Sequence, residues 1–264
     1  MKAAISALIV VVLAGTAYAQ FGGRQGGFGG GFGGRRGGGG SGAPILPNMP
    51  YDGRFVFVRL RYTPPIPFQT QRVMWSHDYP EGEVHFTKIL NDLTYINAHT
   101  EQSNIYALDD VDLFKYPVAY LCEPGQWSLT DHEASTFREY LQKGGFLIID
   151  DFRYQHWENF DYQIHRILPD ARIVDLDGNS PVFHDAFFQI KDLDNIPNYY
   201  DQGHPIFRGI YEDNDPSKRL MVMINYNTDI SEYWEWSGTG LKPVDESNEA
   251  YKLGVNYVIY GMTH

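Results

Sequence analysis

Gly144-Gly145-Phe146-Leu147-Ile148-Ile149-Asp150-Asp151-Phe152 is the stretch on which the fold turns. Four consecutive apolar residues with no polar alternation read as a strand buried on both faces, the pattern of a parallel sheet covered by helices. The two glycines before it end a helix. Upstream, Thr130 followed three residues later by Glu133 reads as a capping box, and Ala134, Phe137 and Leu141 form the apolar stripe of the helix it opens. Further upstream, Val118-Ala119-Tyr120-Leu121-Cys122 repeats the buried-strand pattern. Strand, helix, strand in this order makes a parallel βαβ unit.

The same reading extends in both directions. Phe55 to Tyr62 reads as a strand stopped by Pro64, Pro65 and Pro67, and Glu83 to Ile96 as a helix. Ile105 to Leu108, Arg172 to Leu176 and Leu220 to Asn225 read as strands. Tyr162 to Leu168 and Asn248 to Met262 read as helices. Residues 178–216, rich in Asp, Asn, Pro and aromatics, read as one long excursion beside a cleft. The expected fold is α/β: three layers around a mostly parallel sheet.

The chain begins with Lys2, an apolar run from Ile5 to Leu13, and Ala17-Tyr18-Ala19, the layout of a cleavable export signal. The run falls short of the ~20 residues a membrane span needs. Residues 1–19 are therefore expected to be a signal peptide and 20–50 a Gly-rich disordered tether. Residues 51–264 are expected to be one α/β domain, exported to the periplasm or beyond. Of 21 basic residues four lie in 1–42, whereas none of the 33 acidic ones does, so the remainder carries a net charge of −16. That balance disfavours nucleic acid and anionic lipid as partners and tolerates cations or neutral ligands such as sugars. The single cysteine, Cys122, makes no intrachain disulfide, so stability rests on the core.

In an open parallel sheet ligands sit beyond the carboxyl ends of the strands, which directs attention to three places. Glu123 follows one strand, with Trp127 just after. Asp150 and Asp151 follow the next, with Arg153, His156 and Trp157. Asn225, Asn227 and Asp229 follow a late strand. His77-Asp78 with His85, and Asp150-Asp151 with His156, are ligand types suited to a divalent cation, at spacings that match no established signature. Glu123 opposite Asp150 or Asp151, with Trp127, Trp157, Trp234 and Trp236 as stacking platforms, is the pattern expected of carboxylate chemistry on a glycoside. No nucleophile elbow is present, and Glu123-Pro124 after Cys122 argues against a thiol nucleophile. No Gly-rich phosphate loop follows a strand, so no nucleotide cofactor is expected.

Several segments together resemble a bacterial family, domain of unknown function 4159. They are Phe55 to Tyr62, Trp75-Ser76-His77-Asp78-Tyr79-Pro80, Tyr116-Pro117 to Leu121, Gly144 to Phe152, Gly203-His204-Pro205-Ile206-Phe207 and Leu253 to Val258. The resemblance spans roughly residues 54–263. It implies a class I glutamine amidotransferase-like, flavodoxin-like fold, and His204 to Ile210 is also similar to a stretch in trehalose-utilisation-type relatives of that fold. The amidotransferase nucleophile has no counterpart here, so glutaminase activity is not implied.

The leading expectation is a non-catalytic or cryptic ligand-binding module of the cell envelope. Its cleft is lined by Trp75, Asp78, Glu123, Trp127, Asp150, Asp151 and His204, for a small-molecule or carbohydrate ligand or an envelope protein. The rival is a carbohydrate- or polymer-directed hydrolase using carboxylates or a divalent metal. A third reading, a tethered protein-interaction domain, calls for an exposed aromatic patch instead of a cleft.

Overall fold

A computed structural model of the chain describes residues 44–64, 74–198 and 203–264. The expected signal peptide and residues 20–43 of the tether lie outside the described residues. In chain order the elements are β1 (Val58–Arg61), α1 (Glu81–Leu93), β2 (Asn104–Ala107), β3 (Val118–Cys122), α2 (Asp131–Gln142), β4 (Phe146–Asp150) and α3 (His156–Ile167). They continue with β5 (Val174–Asp175), α4 (Pro181–His184), β6 (Ile206–Tyr211), β7 (Leu220–Tyr226), α5 (Ile230–Glu235) and α6 (Val244–Thr263).

The seven strands form one sheet in the order β2-β1-β3-β4-β7-β6-β5. The five from β2 to β7 run parallel, and β6 and β5 add an antiparallel margin. The chain leaves β1 towards β2 on one side and returns to β3 on the other, so the β1/β3 junction is the topological switch point.

The central strands β3, β4 and β7 are largely apolar on both sides because each side has a helical cover. On one face Leu60, Ala119, Leu121, Leu147, Ile149, Val222 and Ile224 join Phe137 and Leu141 of α2 and Phe160 and Ile164 of α3. On the other, Phe57, Tyr120, Cys122, Ile148 and Met223 join Phe86 of α1, Trp234 of α5 and Tyr257 of α6. The α2 capping box forms as the residues dictate. Glu133 N donates to Thr130 Oγ1 at 3.1 Å, and Thr130 N to the Glu133 carboxylate at 2.7 Å. At the other end of α2, Gly144 takes φ +111°, which a side chain would resist.

Several expectations are corrected. The long excursion contains α4 and the six-residue β6, whose ladder to β7 makes the sheet mixed. The strand expected over Arg172 to Leu176 shrinks to Val174–Asp175, because only β6 lies beside it. The helix expected from Tyr162 starts at His156, since Phe160 faces the core one turn earlier than the stripe suggested. Arg59 of β1 is fully buried. It pairs with Glu83 of α1 and donates from Nη1 to the Trp75 carbonyl at 3.0 Å. That pair ties the β1–α1 connection, which carries His77 and Asp78, to the sheet.

Candidate functional site

Four adjacent strands each deliver an acid at the carboxyl edge. Asp78 lies on the β1–α1 connection, Glu123 follows β3, Asp151 follows β4, and Asp229 follows β7 and caps α5 by accepting from Glu232 N at 3.0 Å. Asp78, Glu123, Asp151 and Asn227 all sit at positive φ, between 53° and 62°. That conformation costs a non-glycine residue of order 1 kcal/mol or more and concentrates at functional sites. Amides cross between the turns: Glu123 N donates to the Asp150 carbonyl at 3.2 Å and Asn227 N to the Phe152 carbonyl at 2.9 Å.

Asp150 is a structural acid. Its carboxylate accepts from Tyr120 Oη at 2.9 Å, Asn225 Nδ2 at 3.2 Å, Ile230 N at 3.0 Å and Ser231 N at 3.3 Å. It therefore fastens the start of α5 to β3, β4 and β7. Tyr257 Oη of α6 donates to Asn225 Oδ1 at 2.9 Å, extending the network into the next helix. Burial, then the charge of Asp151, lift the Asp150 carboxyl to about 7 against these donors.

Beside it, His77 Nδ1 lies 2.7 Å from Asp151 Oδ2 and 3.7 Å from Asp78 Oδ1. His77, Asp78, Asp151 and Asp229 each offer one ligand atom, all within 4.8 Å of one another. Asp78 and Asp229 are fully buried, and Asp78 Oδ1 and Asp229 Oδ2 have no hydrogen-bond partner. Ser231 Oγ contacts both Asp78 Oδ2 and Asp229 Oδ1, but a hydroxyl has one proton and donates to only one of them. Burial alone would lower the His77 imidazole, but the Asp151 hydrogen bond and the charges of Asp78, Asp151 and Glu123 raise it to about 10. Burial and then the Asp151 charge push Glu123 up to about 9. Asp229 is likewise held well above the usual carboxylate range by burial and the charges of Asp151 and Asp78.

The structure thus brings together Asp78, Glu123, Asp150 and Asp151 from the expected set and leaves the others apart. The Trp75 and Trp127 side chains are buried in the core, and Trp234 stacks on Phe86 at 4.5 Å between ring centroids. Trp157 is half-buried in a stack with Phe152, under the Arg208 guanidinium at 4.5 Å. His204 is exposed, and its carbonyl accepts from Asn227 Nδ2 at 3.1 Å. His85 meets the Trp234 carbonyl instead of an acid. Cys122 is buried, with burial raising its thiol well above the ordinary range, as befits a core residue and not a nucleophile.

The sequence marks Asp229 at a strand end and His77 as a metal-ligand type, but their meeting across the sheet edge depends on tertiary structure. Ser231, Glu232 and Glu235 lie on α5, where the sequence pattern predicts no helix and marks only Trp234. The available signal was the Glu232/Glu235 spacing, which puts both carboxylates on one helix face directly after a strand end. A groove of about 520 Å³ lined by Arg138, Leu168, Ile210 and Met221 lies at the opposite edge of the sheet and carries none of these groups.

No curated protein matches the chain. The family described as domain of unknown function (DUF4159) matches residues 56–262, which among the described residues takes in β1 to β7, α1 to α6 but for the last residue of α6, and all the acids of the carboxyl edge. The chain therefore belongs to the DUF4159 family.

Proposed function

We propose that this domain is an exported module of the cell envelope. In this reading it binds a small-molecule or carbohydrate ligand through a divalent cation held by His77, Asp78, Asp151 and Asp229. The export reading rests on Lys2, the Ile5–Leu13 run and Ala17-Tyr18-Ala19. The parallel order β2-β1-β3-β4-β7 supports a flavodoxin-like, class I glutamine amidotransferase-like plan, whose ligands lie at the switch-point edge where these acids gather.

One observation carries the cation: two fully buried carboxylates, Asp78 and Asp229, each keep an oxygen without a donor inside a group of four ligand atoms. A buried carboxylate without compensation costs several kcal/mol, and a cation supplies that compensation to all four groups at once. Three carboxylates and one imidazole suit a hard or borderline divalent ion such as Mg²⁺, Mn²⁺ or Zn²⁺. His77, already drawn against Asp151 and Asp78, marks the electrostatic demand for positive charge at this point. Adding each ion to the full-length chain should raise its thermal midpoint. At a hundred times Kd the gain is about 2.7 kcal/mol, and Asp151→Asn and Asp229→Asn should each abolish it. Midpoints unmoved by Mg²⁺, Mn²⁺, Ca²⁺, Zn²⁺ and chelator alike would contradict the proposal.

A second reading, metal-assisted hydrolysis of a carbohydrate or similar polymer, is favoured by Glu123. Its carboxyl, lifted to about 9, is held neutral beside acids that must ionise to bind a cation, and this division of labour suits a proton donor. Under this reading Glu123→Gln removes cation-dependent turnover while leaving the cation-induced thermal shift in place.

A further inference from the structure

The acid cluster does not end at Asp229. Around Asp78 the α5 carboxylates Glu232 and Glu235 close a second group. Asp78, Glu232 and Glu235 each present an oxygen within 4.8 Å of the other two, and all three residues are buried. Glu232 is 4 % exposed, and its Oε2 has no hydrogen-bond partner, as is also true of Asp78 Oδ1. The cation that faces Glu232 is Lys242, whose Nζ lies 3.3 Å from the other oxygen, Oε1.

We infer that Asp78 is a bridging carboxylate and that Asp78, Glu232 and Glu235 hold a second divalent cation beside the first, making the centre dinuclear. This inference rests on the cation reading of the first group and extends it. The geometry favours it in three ways. Asp78 is the one residue common to both groups, and a carboxylate has two oxygens with which to serve two ions. Asp78, Asp151, Asp229, Glu232 and Glu235 are five carboxyl groups set against His77 and Lys242, so one divalent ion at the first group leaves Glu232 and Glu235 facing each other with Lys242 placed against Glu232. Finally, α5 is fixed in place by the donation of Ile230 N and Ser231 N to Asp150, so the two glutamates are held by the sheet before any ion arrives. Such prearranged carboxylates with a shared ligand are the usual setting for ions ~3.5–4 Å apart that clamp an oxygen-rich substrate.

The test is Mn²⁺ binding to the full-length chain, read by stoichiometry and by electron paramagnetic resonance. Two ions per chain are expected, with the six-line signal of isolated Mn²⁺ lost to exchange coupling through the bridge. Glu235→Gln should leave one ion per chain and restore the six-line signal. Lys242→Met removes the competing ammonium without replacing a ligand and should tighten the second ion by about tenfold, so the inference stays testable even where Glu235→Gln does not fold. One uncoupled ion per chain, unchanged by Glu235→Gln or Lys242→Met, would overturn the second site and leave the first intact. No bound ion at all would overturn both.

Discussion

Asp150 accepts from Tyr120, Asn225 and two amides of α5, whereas Asp151, one residue on, turns into the left-handed region and meets His77. The division follows from the alternation of a strand. The last β4 residue points between the layers, and the first residue beyond it is free to turn along the rim. Asp150→Ala would strand four donors in the interior and should cost roughly 3–5 kcal/mol in urea unfolding. Asp151→Asn should cost far less and act on cation binding. Glu123 makes the stability of the fold depend on pH. Its carboxyl titrates near 4.5 when unfolded and at about 9 in the fold, so between those values the folded chain holds a proton that the unfolded chain has lost. Its contribution makes the cation-free protein less stable as pH rises through that window. Glu123→Gln, which keeps a neutral side chain at every pH, should flatten the decline and raise the thermal midpoint at pH 8–9 while changing little at pH 4. A variant that falls with pH as steeply as the parent would count against the half-buried, neutral carboxyl. The pair Asp150-Asp151 was legible as a strand end, but which of the two is structural was not, since hydrogen-bond partners from β3, β7 and α5 decide it.

At the scale of elements, α6 approaches α1 and α5 at Gly254, where an added Cβ would stand 2.5 Å from Phe86 Cε2 and 2.6 Å from Trp234 Cζ2. Those rings are stacked and fully buried, and Trp234 belongs to the helix that carries Glu232 and Glu235. Gly254→Ala should therefore cost ~1–3 kcal/mol by denaturant midpoint, despite alanine's better helix propensity. A stabilised variant would show that α6 does not pack this closely. The strands buried on two faces, β3 and β4, and the capped helix α2 were legible because their local signals agree with their surroundings. β6 and α5 were not. Gly209 interrupts the apolar run of β6 because its missing side chain makes room for Leu220 and Leu176, and α5 is too short to display a period. Both elements owe their form to β7, with which one pairs and from which the other emerges.

Across the whole molecule, the strand order and the acidic edge are two expressions of one topology. Sequential βα units deliver loops to the same rim, and the reversal at β1/β3 sets the Asp78 connection next to Glu123 and Asp151. The parallel core and the edge where chemistry gathers were thus available from element order alone. The inventory at that edge was only half available. Carboxylates were visible as strand-end residues, whereas the expected tryptophans turned inward because a sheet covered on both faces has a large core to fill. The strong net negative charge, which disfavours polyanionic partners, also fits a site that gathers cations. The central claim is that the strand ends of β4 and β7 and the β1–α1 connection converge on a divalent ion. Anomalous diffraction from a crystal of the protein grown with Mn²⁺ tests it most directly. The account predicts an anomalous peak at about 2.0–2.3 Å from oxygens of Asp78, Asp151 and Asp229, with His77 beside it. Crystals in which His77 remains hydrogen-bonded to Asp151, with no anomalous density among these side chains at saturating Mn²⁺, would contradict it.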